Sequence, residues 1–441
     1  MKFQRRPAYP WKTALFCLLF WLAAITPALA LQKAAVAKVG AVAEWDRAEV
    51  ILMHAPGDEV FLGVIHPAAA LYEQSFSLSQ AQEQHQNYVK QMQDQGIAVY
   101  KVVDVLLQGT LDEKGRALPG KPLDDLRALA AESLRYDASA LPEELREKQD
   151  KIKQETLQAL SPHELARIIL LRPTVRLKAT GTNTGYSAVY EEEPVMNLYF
   201  CRDQMITTAK GVVISKLNSP QRAPETRIIK FALAKLGITP IYEVTGEGRL
   251  EGGDYFAVGE YAFIGQGLRT NAEGVRQLLE HKVFGSPKVA VVKDQWEDQE
   301  EMHLDTYFNI ISPKLAVLVD LRMNLPGKPV EKKMIALVDV YELQGGKYVK
   351  TVSDRNFQEF LEKDMGFTVI PATRKDQNLY GINFLTLWSD RIMAIDGVSE
   401  AYKRALADHG VDATWMDFRA LTSGYGAAHC TTQVLLRKSA P

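Results

Sequence analysis

The chain has 441 residues and only three cysteines, Cys17, Cys201 and Cys430, too few for a disulfide-stapled scaffold. It has no CxxC pair and no HExxH, so neither a zinc ribbon nor a zincin is written in its local spacing. A basic excess is also missing, since 52 Lys and Arg stand against 54 Asp and Glu, which disfavours nucleic acid as a partner. With 46% hydrophobic and 24% charged residues, the composition is that of a folded globular protein and not of a disordered one.

One long apolar run does occur. Lys2, Arg5, Arg6 and Lys12 precede TALFCLLFWLAAITPALA, which closes on Ala28-Leu29-Ala30. This pattern predicts a signal peptide over residues 1–30 and an exported mature chain, 31–441, that is periplasmic or secreted and has no stable membrane insertion after cleavage. The alternative is an uncleaved anchor, for which about eighteen apolar residues are at the short limit. Cleavage would remove four basic residues and no acidic ones, leaving 48 against 54 and a net charge of −6.

Five places share one grammar of helix, glycine and extended β-branched run, centred on Gly96, Gly237, Gly285, Gly366 and Gly410. Glycine just past a helix end adopts the left-handed conformation that closes the helix. Paired short strands such as YFAVGEYAFIGQG and NFLTLWSDRIMAID precede most of these helices, so each unit reads as strand, strand, helix, strand. Five units unable to bury their own apolar faces predict a ring of α/β repeats, in preference to an open doubly wound sheet. The gap from Gly96 to Gly237 is the longest and holds a helical insertion over 109–178, with Pro142 at one helix start and Ser161 and Glu164 at capping-box spacing.

Charges interrupt four strand-like segments. They are Arg202 and Asp203 in NLYFCRDQMITT, Glu251 and Asp254 in RLEGGDYFAVG, His303 and Asp305 in MHLDTYFNII, and Cys430 in SGYGAAHCTTQVLL. His303 and Asp305, two apart, would share one side of an extended chain. Three chemistries suit such a set. A zinc site is one, although a single thiolate with three carboxylates is an unusual shell. A thiol protease is another, although nothing around Cys430 has the sequence context of those nucleophiles. The third is a guanidinium gripped on both edges by carboxylates, with a thiolate beneath its central carbon and histidine moving protons.

The order NLYFCRD, EGGD, MHLDT and a glycine-rich HC segment resembles the arginine deiminases of the guanidine-modifying (amidinotransferase) superfamily, and AEWDRAEVILMHAPG is similar to that family's opening strand. The resemblance implies a five-bladed α/β propeller, or pentein, of ββαβ repeats forming one catalytic domain. It implies hydrolysis of L-arginine to L-citrulline and ammonia through a covalent cysteine amidino-thioether, with no metal or organic cofactor. On it, Cys430 is the nucleophile, His303 the proton shuttle, Asp203 and Asp305 the guanidinium clamps and Glu251 the acid behind the histidine. Arg222 and Arg269 would bind the substrate carboxylate, while Asn197 and Phe200 would line the pocket.

Two departures bear on substrate. Tyr425 stands where the family commonly has an arginine, and Gln204 follows Asp203 in place of a proline or small residue. Agmatine, a peptide-borne arginine, amidine transfer or a non-catalytic guanidine binder are therefore the alternatives, while Arg222 and Arg269 favour a carboxylate-bearing small molecule. Self-association into a homo-oligomer is compatible with the sequence. Read as an extended strand, NLYFCRD turns Cys201 the same way as Asp203, toward Cys430, where a reversible disulfide could form; otherwise Cys201 fills a small-residue position under the site.

Overall fold

The computed structural model describes Val36 and residues 38–439, so the expected signal segment lies outside the described residues. The chain folds into five three-stranded units with one pairing rule. In four of them a hairpin of antiparallel strands is followed by a helical segment and a third strand parallel to the second, and in the first the antiparallel member comes from the last strand instead.

The first unit contains β1 (Arg47–Met53) and β2 (Ala98–Lys101), which pair in parallel on either side of the helix Leu78–Asp94. An insertion follows, carrying β3 (Arg135–Asp137), β4 (Pro173–Ala179) and β5 (Tyr186–Glu192) in one small sheet. The second unit is β6 (Met205–Thr208), β7 (Gly211–Ile214) and β8 (Tyr242–Glu243), and the third is β9 (Tyr255–Val258), β10 (Tyr261–Gln266) and β11 (Lys288–Lys293). The fourth begins with β12 (Phe308–Ser312) and β13 (Leu315–Val319). After them β14 (Leu337–Gln344) and β15 (Lys347–Asn356) form a hairpin that joins β11 and widens the third sheet to five strands. Then β16 (Thr368–Ala372) completes the fourth unit, and β17 (Leu385–Trp388), β18 (Arg391–Ile395) and β19 (Asp412–Met416) make the fifth. The last strand, β20 (Gln433–Lys438), returns to pair antiparallel with β1 and supplies the first unit's missing member.

The units follow one another around a ring. β20 packs beside β6, and β17 lies beside both β1 and β12. Phe256 of β9 meets Phe308 of β12 edge-on at 5.5 Å, joining units three and four. Ile206 and Val213 share a buried cluster with Tyr255 and Ala257, which joins units two and three. At the closure, Arg437 of β20 is buried and donates to Glu44 at 2.7 Å and to the carbonyls of Asp46 and Thr386 at 2.9 Å. The five α/β repeats expected from the glycine pattern are thus present. All five glycines have positive φ, from 69° at Gly366 to 79° at Gly96 and Gly410.

The insertion differs from expectation. Pro142 does cap a helix, and Ser161 with Glu164 does form a capping box. The segment is not purely helical, however, and continues past residue 178 through β5, because Pro173–Ala179 and Tyr186–Glu192 pair antiparallel along their whole length around the turn between them. Its apolar helix faces, including Leu126, Leu165 and Ile169, share a core with Ile228 and Ile229 of the second unit.

Candidate active site

The loop that carries Cys430 lies between the helical turn Arg419–Thr422 and β20. Its glycines are required by close approach: a Cβ at Gly424 would collide with the Tyr199 hydroxyl, and one at Gly426 with the Phe200 ring. Tyr199 and Phe200, ring centroids 4.0 Å apart, therefore form the floor on which the loop rests.

Asn383 fixes the height of the loop above that floor. Its Oδ1 accepts from the backbone N–H groups of Ala427 (3.1 Å) and Cys430 (3.2 Å), while its Nδ2 donates to the carbonyl of Asp305 at 3.0 Å. One side chain thus ties Cys430 to the segment that bears Asp305. The carbonyl of Cys430 accepts from the N–H of Arg202, whose Nε donates to the carbonyl of His429.

Opposite the thiol, Asp305 places Oδ2 3.5 Å from Cys430 Sγ and 2.7 Å from Nδ1 of His429. His303 and Asp305 do not share an extended strand as the sequence suggested. His303 caps the one-turn helix Leu304–Tyr307, because Asp254 Oδ1 accepts from the N–H of Leu304 and Thr306 bonds back to His303. The turn separates the two side chains, and Gly253 leaves room for both, since a Cβ there would lie 2.7 Å from His303 Nδ1 and 3.0 Å from Asp305 Oδ1. Arg202 and Asp203 likewise sit in a turn ahead of β6, not inside a strand.

His303 Nε2 is 2.7 Å from Glu251 Oε2, and its Nδ1 is 3.9 Å from Asp203 Oδ1. Burial would lower this imidazole, but Asp203 and Glu251 outweigh it and raise its pKa to about 9. His303 is therefore an imidazolium at neutral pH, and its charge keeps Glu251 below the usual carboxylate range despite burial. Burial, reinforced by Asp305 and Asp203, pushes the Cys430 thiol well up, so the resting sulfur is protonated. His429 is held down by burial and then by Arg202, and it donates to Asp305 as a neutral ring stacked 5.2 Å from Phe256.

Oδ1 of Asp203 and Oδ1 of Asp305 are buried and have no hydrogen-bond partner. Acceptors without donors in such a place suit a ligand rich in N–H groups. Asp203, Glu251 and His303 also bring one ligand atom each within 4.8 Å of one another, the spacing of a metal site. A metal there would have to displace the proton of His303 and its contact with Glu251.

The two arginines differ. Arg269 is lightly held, 3.4 Å from Gln299 Oε1 and 3.9 Å from Glu251, with a buried Nε that has no partner. Arg222 is fully engaged: it donates to Asp203 Oδ2 at 2.8 Å, to both oxygens of Glu225 and to the carbonyl of Asn197. The structure thus shows Arg222 as the anchor of an acid and not as an open carboxylate receptor. Asn197 donates to the carbonyl of Ala70, and Phe200 lies under the loop. Asn197 and Arg222 also border a cavity of about 290 Å³ shared with Arg172, Glu192 and Glu193 of the insertion.

Cys201 does not face Cys430. The turn at 197–204 sends its thiol to the carbonyl of Leu198, 3.4 Å away, within the core shared with the insertion, and both cysteines are free. Of the residues bearing on the site, Asn383 and Tyr199 were not singled out by the sequence, and His429 was noticed only as a neighbour of the cysteine.

A family model for arginine deiminase matches residues 69–437. Arginine deiminases from Halobacterium salinarum (26% identical, covering 91% of this chain and 97% of the relative) and Listeria welshimeri (25%, covering 90% and 98%) align over nearly their whole lengths. Among solved structures, DDAH from Pseudomonas aeruginosa complexed with citrulline superposes with a TM-score of 0.51 at 14% identity, covering 88% of this chain and 99% of that one. The product-bound N-terminal domain of ArgZ, an arginine dihydrolase from cyanobacteria, gives 0.52 at 16% identity, covering 89% and 99%. These two structural likenesses concern the fold, the α/β propeller built from the five repeats. With the motifs in order around one ring and the family model spanning all of them, the chain belongs to the arginine deiminase family.

Proposed function

We propose that the protein hydrolyses L-arginine to L-citrulline and ammonia, with Cys430 as nucleophile. The observation that carries this reading is the pair of unpartnered carboxylate oxygens, on Asp203 and Asp305, beside a thiol 3.5 Å from the second acid. A guanidinium satisfies both acceptors, and its positive charge beside the sulfur favours loss of the thiol proton to solvent.

The thiolate then attacks the guanidinium carbon. As that tetrahedral adduct collapses, the bond to one terminal nitrogen breaks, and the protonated His303 gives its proton to the departing ammonia. An amidino-thioether on Cys430 remains. The now neutral His303, oriented by Glu251, takes a proton from water, and the hydroxide adds to the same carbon. As the carbon–sulfur bond breaks, the hydroxyl proton of this second adduct passes to solvent, so that the neutral ureido product leaves and the thiolate remains beside the imidazolium already re-formed. Asp203 and Asp305 hold the carbon over the sulfur throughout, while Arg269 is the cation best placed to take the substrate carboxylate. The leader-like run over 1–30 supports an extracytoplasmic site of action, which cell fractionation of the full-length chain would test.

The direct experiment is to incubate residues 31–441 with arginine and measure citrulline and ammonia in equal amounts, with Cys430→Ala as control. Residual turnover in that variant would remove Cys430 from the role of nucleophile. Mass spectrometry of a slowed His303→Ala variant should find the amidino adduct on Cys430.

A further inference from the structure

Three segments distant in sequence meet at the mouth above Cys430. The backbone N–H groups of Glu73 and Gln74 both donate to the carbonyl of Ser423, at 2.8 and 3.2 Å, which seams the N-terminal segment to the nucleophile loop. The Glu73 carboxylate accepts from the Tyr380 hydroxyl at 3.2 Å. Tyr380 and Tyr425 both hold left-handed backbone, φ 60° and 70°, which side-chain-bearing residues keep only where their surroundings impose it.

These groups face one another. Burial raises the Tyr380 phenol, with Glu73, Cys430 and Tyr199 adding to the effect. Burial, Glu73 and then Glu300 do the same to Tyr425. Glu300 is neutralised by Arg374, whereas Glu73 has no cationic partner among the described ion pairs. A fully buried hydroxyl without a partner, that of Tyr199, lies against Gly424 at the inner edge of the same opening. A cation is near as well: Glu73 and Glu300 both act on Tyr425, and Gln299, the residue before Glu300, is reached by Arg269. The surroundings of Tyr425 thus hold a carboxylate without a cationic partner and a lightly held guanidinium close by, the pattern that receives a zwitterion.

We propose that Glu73, oriented by Tyr380, binds the α-ammonium of the substrate and restricts the site to guanidines carrying a free amine at that end, against peptide-borne arginine. This inference rests on the guanidine chemistry proposed above and names the chemical group that sets its selectivity.

The test compares L-arginine with 5-guanidinopentanoate, which keeps the carboxylate and lacks the amine, and with agmatine, which keeps the amine and lacks the carboxylate. Ammonia release is followed for the wild-type chain, Glu73→Gln and Glu73→Asp. Glu73→Gln should shrink the preference for arginine over 5-guanidinopentanoate about fivefold to tenfold, mainly through KM. Glu73→Asp should restore part of that preference, and agmatine should weaken in parallel with arginine. An unchanged preference ratio in Glu73→Gln overturns the inference, as does an equal loss on all three compounds, which would mark Glu73 as a mere loop tie. If the wild-type chain hydrolyses none of the three, the proposed reaction fails instead, and equilibrium binding of the same compounds to the same variants reads the preference directly. Glu73 is exposed, so the variants are expected to fold.

Discussion

Asp305 Oδ2 is shared: Nδ1 of His429 donates to it at 2.7 Å, and the thiol of Cys430, the next residue in the chain, approaches it to 3.5 Å. The histidine aims the acid without being charged. His429→Ala should therefore lower kcat about a hundredfold, the scale of a misplaced catalytic group. His429→Asn keeps a donor near the position of Nδ1 and should recover about a tenth of the wild-type rate or more. Equal losses in the two variants would show that stacking on Phe256, not the hydrogen bond, is what matters.

His303 titrates near 9 in the folded chain against about 6.5 unfolded. Since the proposed loss of ammonia needs the imidazolium, kcat/KM should fall as pH rises through about 9. Glu251→Gln removes one of the groups that raise this pKa and should draw the basic limb toward 6.5, by a unit or more. The sign for stability is the same. The raised pKa contributes fully below about 6.5 and is lost as pH climbs through 9, which the denaturation midpoints of the two proteins at pH 7 and pH 9.5 would measure.

Arg222 and Arg269 should separate kinetically. Removing Arg269 leaves the acids in place, so Arg269→Ala should raise KM for arginine about tenfold or more and affect agmatine little. Arg222→Ala frees Asp203 and Glu225 as buried uncompensated charges, which should lower kcat for arginine and agmatine alike and cost about 3–5 kcal/mol of stability. A selective KM effect of Arg222→Ala would return that residue to carboxylate binding.

His85 is buried, its Nε2 has no partner, and burial together with His54 depresses its pKa to about 3. Its contribution is present above about 6.5 and is lost as pH falls toward 3, because the unfolded chain then binds a proton the folded one refuses. Between pH 7.5 and pH 5 this should cost about 2 kcal/mol. Urea unfolding of His85→Leu at both values should show that increment missing; the same drop in wild type and variant would assign the acid sensitivity elsewhere.

The ring was legible because its signals are local. A glycine after each helix and a short hairpin before it recur whatever the partners, so five repeats can be read from one chain. What escaped notice depends on partners far away in sequence. Asn383 looks like one polar residue in GINFLTLW, and its three hydrogen bonds exist only once 305, 427 and 430 converge on it. The extended readings of NLYFCRD and MHLDT failed for a related reason: the N–H of Gly252 and the carbonyl of Cys430 bond to the backbone of the first, and the Asp254 carboxylate caps the second. Arg222 was identifiable as a residue of the site, but its commitment to Asp203 and Glu225 is a matter of side-chain direction that spacing does not encode. The insertion sheet was missed because its strands pair only with each other and repeat nothing.

The strand that seals the propeller begins three residues beyond Cys430. Asp203, Glu251, His303 and Asp305 are all made more than a hundred residues ahead of that residue's sulfur, with only His429 arriving beside it, and β1 gains its antiparallel partner later still. The same coupling joins closure of the ring to the seating of the sulfur, because loosening β20 loosens the thiol.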